Sequence, residues 1–278
     1  MRFSIVTPSY RSSQWLRLCI PSVADQPGVE IEHIVQDSCS DDGTLDWLPK
    51  DQRVKAFIEK DQGMYDAINR GFRRATGHIL AYLNCDEQYL PGMLQAVQER
   101  FAAEPDTDVV LADSIVTDSK GDYVCTRFSL RPGKNQMWVR FPILSCAMFL
   151  RRRVVHDLNI YFDTQWRALG DWFWVKDMVD RGVRFSVLPR LTSIFTETGD
   201  NLCLSPRAAE EREEKWRRAP AWIRLTQLVW LLQYRGQLAA RGANTQPPFD
   251  YSLYTLDSPA TRVTRRAAHP TSFWKRKM

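Results

Sequence analysis

Residues 78–92 read HILAYLNCDEQYLPG. The apolar run from Ile79 to Leu83 stops in Asn84 and two adjacent carboxylates, Asp86 and Glu87, and Pro91-Gly92 marks a turn just beyond. Neighbouring carboxylates repel each other, and burying either without a partner is costly, so the pattern suits only two surroundings. Either both acids face water on a loop, or a divalent cation sits at the carboxyl end of a strand and carries a phosphate-bearing ligand. Alone, the stretch favours water, because acids at strand ends are common on loops. The sequence on either side changes that balance.

Upstream, short β-rich runs alternate with helical patterns. FSIVTPS predicts a first strand, VEIEHIVQD a second and RVKAFIEK a third, with HILAYLN the fourth. SSQWLRLCIPSVADQ predicts a helix opened by Ser12 or Ser13, with a kink or early break at Pro21. In GMYDAINRGFRRATG the apolar Tyr65, Ile68, Phe72 and Ala75 recur every three or four residues, an amphipathic helix closed by Gly77. PGMLQAVQERFAAE adds a helix with Pro91 near its start. Strand and helix alternating at this spacing predict right-handed crossovers and a mainly parallel sheet flanked by helices.

Ligands of such sheets bind beyond the carboxyl ends of the strands. That rule collects Thr7, Pro8, Ser9 and Tyr10 after the first strand and Asp37 and Ser38 after the second. It adds Glu59 to Gly63, including Asp61, after the third, and Asn84, Asp86 and Glu87 after the fourth. Asp66 and Asn69 lie one turn apart on the following helix and either line the same cleft or hold neighbouring loops. A rim of ligand-type residues from four strands is harder to assign to water than one acidic pair.

The middle of the chain is less regular. VVLADSIVTD, DYVCTRF and SCAMFLRR predict strands, DWFWVKDMVDRG a helix ending at Gly182, and VRFSVLP and LTSIFT the last strands. From residue 205, SPRAAEEREEKWRRA is charge-rich helix, and PAWIRLTQLVWLLQYRG carries Trp222, Leu225, Leu228, Val229 and Leu232 at helical spacing. Residues 242–278 contain prolines and no pattern, and are expected as a basic extended or disordered tail. The expected organisation is 1–204 catalytic, 205–241 helical extension and 242–278 tail.

Composition narrows the classes. The 278 residues suffice for one large α/β domain with an appendage. Residues 1–206 sum to −3 and residues 207–278 to +8, so the body offers no cationic face for nucleic acid. Six scattered cysteines, Cys203 among them, and four dispersed histidines speak for reduced thiols and against a zinc site. The amino terminus turns polar too early for a signal peptide, and no run reaches the ~20 apolar residues of a membrane span. The expected location is cytoplasmic, with possible attachment of the basic tail to the inner membrane face.

Four pieces carry a family resemblance: SIVTPSY, EHIVQDSCSDDGT, EKDQGMYDAINRG and ATGHILAYLNCDEQYLPG, in this order over about 100 residues, continued more faintly by LGDWFWVKDM. Together they resemble the family 2 glycosyltransferases of GT-A fold, nucleotide-diphospho-sugar transferases of bacterial polysaccharide assembly. The resemblance implies that Pro8, Ser9, Tyr10 and Asp37 receive the nucleotide, with Asp37 accepting from the base. Asp86 would contact the ribose or a divalent Mn2+ or Mg2+ ion, and Glu87 would ligate that ion. Asp171 would serve as catalytic base of an inverting hexosyl transfer to a glycan or lipid-linked acceptor. The family more often has aspartate where this chain has Glu87, whose carboxylate reaches one methylene further.

Each role has a plainer counterpart. Asp37 could cap the turn before Thr44, and Asp171 could be a helix-opening acid favoured by the macrodipole. Two other functions compete: a sugar-1-phosphate nucleotidyltransferase, against which TPSYRSS lacks a Gly-rich signature, and a catalytically silent nucleotide-sugar-binding protein, against which Asp37, Asp86, Glu87 and Asp171 stand together. A dinucleotide-dependent oxidoreductase lacks its G-x-G-x-x-G.

Overall fold

Alternating residues of the first strand face opposite ways, and both faces are apolar: Phe3 and Ile5 on one, Val6 on the other. The fourth strand repeats this with Ile79 and Ala81 against Leu80 and Tyr82. Strands with two apolar faces need helices on both sides of a sheet. The computed structural model, which describes residues 1–199, 201–202 and 205–274, has that architecture. Cys203 and the tail's Lys275, Arg276 and Lys277 lie outside the described residues.

The first half runs β1 (Arg2–Ser9), α1 (Ser13–Ala24), β2 (Glu30–Asp37), α2 (Thr44–Trp47), β3 (Lys55–Ile58), α3 (Met64–Arg74), β4 (Ile79–Tyr82), β5 (Glu87–Tyr89) and α4 (Met93–Ala103). Next come β6 (Val109–Asp118), β7 (Tyr123–Arg127), α5 (Gln136–Val139), β8 (Met148–Arg151), α6 (Arg152–His156), α7 (Gly170–Asp180) and β9 (Phe185–Glu197). The chain closes with α8 (Pro206–Arg218), α9 (Ala221–Leu225), α10 (Gln227–Ala240), β10 (Phe249–Thr255) and β11 (Ser258–Ala267).

The main sheet has the order β3-β2-β1-β4-β8-β6-β9-β5, with β7 on β6. Its first four strands are parallel, as their spacing predicts. Beyond them the sheet is mixed: β8 is antiparallel to both β4 and β6, β9 is parallel to β6, and β5 is antiparallel to β9. Helices α3 and α7 cover one face through Tyr65, Ile68, Phe72, Trp172, Trp174 and Met178. Helices α1 and α4 cover the other through Cys19, Val23, Leu94, Val97 and Phe101. At Gly71 the approach of α3 to β1 is close enough that a Cβ would lie 2.3 Å from Val6 Cγ1.

Three local expectations change. Helix α1 continues through Pro21 to Ala24, because the buried Leu16, Cys19, Ile20 and Val23 hold it despite the missing donor. VRFSVLP and LTSIFT form one long strand, β9, with its register shifted midway. The patternless tail is largely a β-hairpin: β10 and β11 pair antiparallel, and Tyr251, Leu253 and Ala267 pack on Leu90, Ile115 and Ile194 of the body. Gln88 and Tyr254 exchange two hydrogen bonds of 2.9 and 2.8 Å. Arg262 clasps Asp25 at 2.6 and 2.8 Å and donates to the Tyr89 carbonyl at 3.0 Å. Arg265 and Arg266 face Asp122 and Asp250, so much of the tail's charge is answered within the chain.

Candidate active site

A cleft of about 870 Å³ opens beyond the carboxyl ends of β1 to β4. Pro8, Ser9, Tyr10, Asp61, Asp66, Asn84, Asp86 and Asp171, all expected from the sequence, line it together. Two turns shape the rim. Arg11 follows β1 in the left-handed region (φ 49°), with its guanidinium on Asp41 at 2.6 Å. Asp61 accepts from the Gly63 amide at 2.8 Å and Asp66 from the Gln62 amide at 3.0 Å, so both acids fix the loop entering α3.

Thr7, Asn69, Asp37 and Glu87 do not line the cleft. Thr7 is buried and its hydroxyl pairs with His33 Nε2 at 2.9 Å. Asn69 is a brace, donating to the Phe162 carbonyl at 2.8 Å and accepting from the Phe162 amide at 2.9 Å. Asp37 lies beneath the rim: Ser9 Oγ, Ser40 Oγ and the Ser40 amide all donate to it at 2.8 Å. These bonds set where Ser9 stands.

Glu87, expected to ligate the cation, sits deeper than its position after the fourth strand suggested. It is not a surface acid at a strand end but the first residue of β5, paired with Phe195 of β9 and fully buried. Its Oε2 accepts from the Asn84 amide at 2.8 Å, while Oε1 has no partner. Burial, reinforced by the neighbouring Asp86, pushes its carboxyl up to about 8. Asp86 does reach the cleft, where Asn201 Nδ2 donates to it at 3.3 Å, and burial raises it to about 6.

Among the described residues no cluster of three or more Asp, Glu, His or Cys could hold a metal by itself. The donor set nonetheless fits a cation shared with a ligand. Asp86 presents a carboxylate to the cleft, and the buried Asn84 Oδ1 beside it has no partner. Hard cations bound through one or two protein oxygens take their remaining ligands from phosphate and water.

Asp171 stands in the first turn of α7 and borders the cleft. Its Oδ1 accepts the Trp172 amide at 2.7 Å, and its own amide donates to Tyr65 Oη at 3.3 Å. The helix meets Tyr65 so closely that a Cβ on Gly170 would lie 2.5 Å from the ring. Desolvation raises the Asp171 carboxyl to about 6, with the Trp172 amide pulling the other way. That places a carboxylate near the working range of a general base.

Two cationic cleft residues, Arg11 and Arg167, escaped the sequence reading, whereas Lys60 fell within the expected Glu59 to Gly63. Arg11, Lys60 and Arg167 put cationic side chains on the cleft wall, and Arg11 and Lys60 both lie 5.2 Å from the Tyr10 ring centre. Strand-end position was the signal for Arg11; Arg167 had none. Glu211, buried on α8, accepts from the amides of Arg167, Ala168 and Leu169 at 2.7, 3.0 and 2.8 Å. It thereby fixes the segment leading into Asp171 from 40 residues away. Burial also lowers Lys215 of the same helix to about 8, where its charge partly offsets that of Asp171.

A mixed sheet with its polar cleft at this edge is the GT-A type of transferase fold, and solved structures agree. The structure of S. aureus TarS in complex with UDP-GlcNAc matches with a TM-score of 0.62 at 20% identity, covering 77% of this chain and 64% of that one. The mannosyltransferase PcManGT from Pyrobaculum calidifontis, in complex with GDP-Man and Mn2+, matches at 0.58 and 18%, covering 88% and 76%. The glycosyl transferase family 2 model matches residues 4–158, more than half of the chain, and the chain belongs to that family. A PGL/p-HBAD biosynthesis glycosyltransferase of Mycobacterium bovis is 29% identical over 176 residues, 61% of this chain and 66% of the relative's own length. Among the described residues no helix is long and apolar enough to cross a membrane.

Proposed function

We propose that this chain is an inverting glycosyltransferase that moves a hexose-class sugar from a nucleoside diphosphate donor to a glycan or lipid-linked acceptor. The observation that carries the reading is the convergence of the β1, β3 and β4 ends and the start of α7 on one cleft, with Asp86 and Asp171 both bordering it. Family membership and the nucleotide-sugar ligands of the two structural neighbours support it.

In this reading Pro8, Ser9 and Tyr10 receive the nucleoside, with Asp37 holding Ser9 in place from below. Arg11, Lys60 and Arg167 offset the charge of the diphosphate. Asp171 accepts the proton of an acceptor hydroxyl as its oxygen attacks the anomeric carbon from the face opposite the leaving group. The new C–O bond forms as the bond to the diphosphate breaks, and the diphosphate departs with the electron pair, inverting the anomeric centre. A divalent cation held by Asp86, with Asn84 Oδ1 beside it, would supply charge neutralisation at the departing diphosphate. Glu87 holds the Asn84 amide from inside the sheet and is not assigned as a ligand.

A panel of UDP-, GDP- and dTDP-sugars tests the reading. At least one donor is expected to be hydrolysed slowly, with activity lost in chelator and regained with Mn2+ or Mg2+. Absence of binding by every donor, or full turnover in chelator, would overturn the transferase or the metal part respectively.

A further inference from the structure

The predicted helix spanning Trp222 to Leu232 breaks at Thr226 into α9 and α10, and its apolar stripe is not covered by this chain. Leu225, Leu228, Val229 and Leu232 are 85, 69, 61 and 65% exposed, and Trp222 is 49% exposed. The opposite side of α10 attaches to the body: Tyr234 is buried and Gln237 accepts from Gln136 Nε2 at 2.8 Å. The helix is therefore anchored by one face and holds the other, apolar face outward. Five large apolar side chains on two consecutive short helices form a patch, and patches of this kind mark an interaction site.

Charge selects the occupant. From Lys215 to Phe249 the sequence contains no acidic residue. Arg224 on α9 and Arg235 on α10 are both exposed, the first ahead of Leu225 and Leu228 and the second three residues after Leu232 on the same helix. A second copy of this chain packed on the same face about a two-fold axis would bring these arginines toward one another without an intervening acid. An anionic bilayer meets both features, taking the leucines into its interface while its headgroups face the arginines. The two helices are also joined to the cleft through the chain. Helix α8, which leads into α9, grips residues 167–169 of the cleft wall through Glu211, and Arg218 at its end lies 4.9 Å from the Trp166 ring centre.

We infer that the outward face of α9 and α10 docks the protein reversibly on an anionic lipid surface. This goes beyond the transferase reading and does not require it. The test is flotation of the full chain with phosphatidylcholine vesicles, with and without phosphatidylglycerol. Wild type is expected to float with the anionic vesicles at low salt and to be released at high salt. Leu228→Glu with Leu232→Glu should abolish flotation, and Arg224→Glu with Arg235→Glu should lower it about tenfold or more. Both variants should melt as wild type does, since these side chains are exposed. Wild type ignoring anionic vesicles, equal binding to neutral ones, or flotation unchanged by the double leucine variant would overturn the inference. A dimer that the leucine variant dissociates, with no vesicle binding, would assign the face to a second copy instead. Donor binding by the same proteins in solution reports separately on the transferase reading.

Discussion

Asp171 and Glu32 show how burial and hydrogen bonding pull a carboxylate in opposite directions. Burial dominates at Asp171 and raises it to about 6. As the proposed general base, Asp171 works only when ionised, so donor turnover should fall roughly tenfold per pH unit below about 6 and level off above it. A pH profile of hydrolysis checks this, and a profile flat down to pH 4.5 would remove Asp171 as the base. At Glu32 burial also pushes upward, but Lys55, Ser4 and Thr76 donate to the carboxylate and bring it down to about 2. A depressed folded-state value stabilises the fold at pH above the unfolded value of about 4.5 and loses that contribution as pH falls through about 2. Glu32→Gln should therefore cost about 1–3 kcal/mol at pH 7, and less at pH 3, in denaturant unfolding.

Among elements, α8 decides how well α7 presents Asp171. Glu211 satisfies three consecutive amides that would otherwise lie unpaired at the helix start. Glu211→Ala should lower turnover about tenfold or more and reduce stability by about 2–4 kcal/mol, with donor affinity less affected. Unchanged kinetics would mean that the segment before α7 holds its shape without α8. Asp171 was singled out by the family resemblance through LGDWFWVKDM, but the clamp was invisible because Glu211 sits in a run of charged residues, Glu210 to Lys215, that reads as solvated. The burial of Glu87 was illegible for a related reason. The strand that buries it, β9, arrives over 100 residues later, and nothing near Glu87 announces that pairing.

For the whole molecule, the strands legible in the sequence were those buried on both faces, β1 and β4 above all, because packing from two sides leaves a near-continuous apolar run. The hairpin hid itself. Most of β11 is exposed or only partly buried, so its sequence SPATRVTRRA carries no alternation, although Tyr251 and Leu253 of β10 reach the body. Truncation before residue 249 should uncover Leu90, Ile115 and Ile194 and cost on the order of 3–6 kcal/mol, the burial value of two large side chains. A melting temperature lowered by roughly 10 °C would be the corresponding observation, and an unchanged one would make the hairpin an ornament.

The cleft is proposed to bind a nucleoside diphosphate sugar and Asp171 to act on what attacks it. Asp171→Asn separates those two parts most directly, since the amide keeps the shape and loses the basicity. For the donor that the panel identifies, the account predicts an affinity within about threefold of wild type and a turnover lowered about 10²-fold or more. Unimpaired turnover in Asp171→Asn, with donor binding intact, would contradict it.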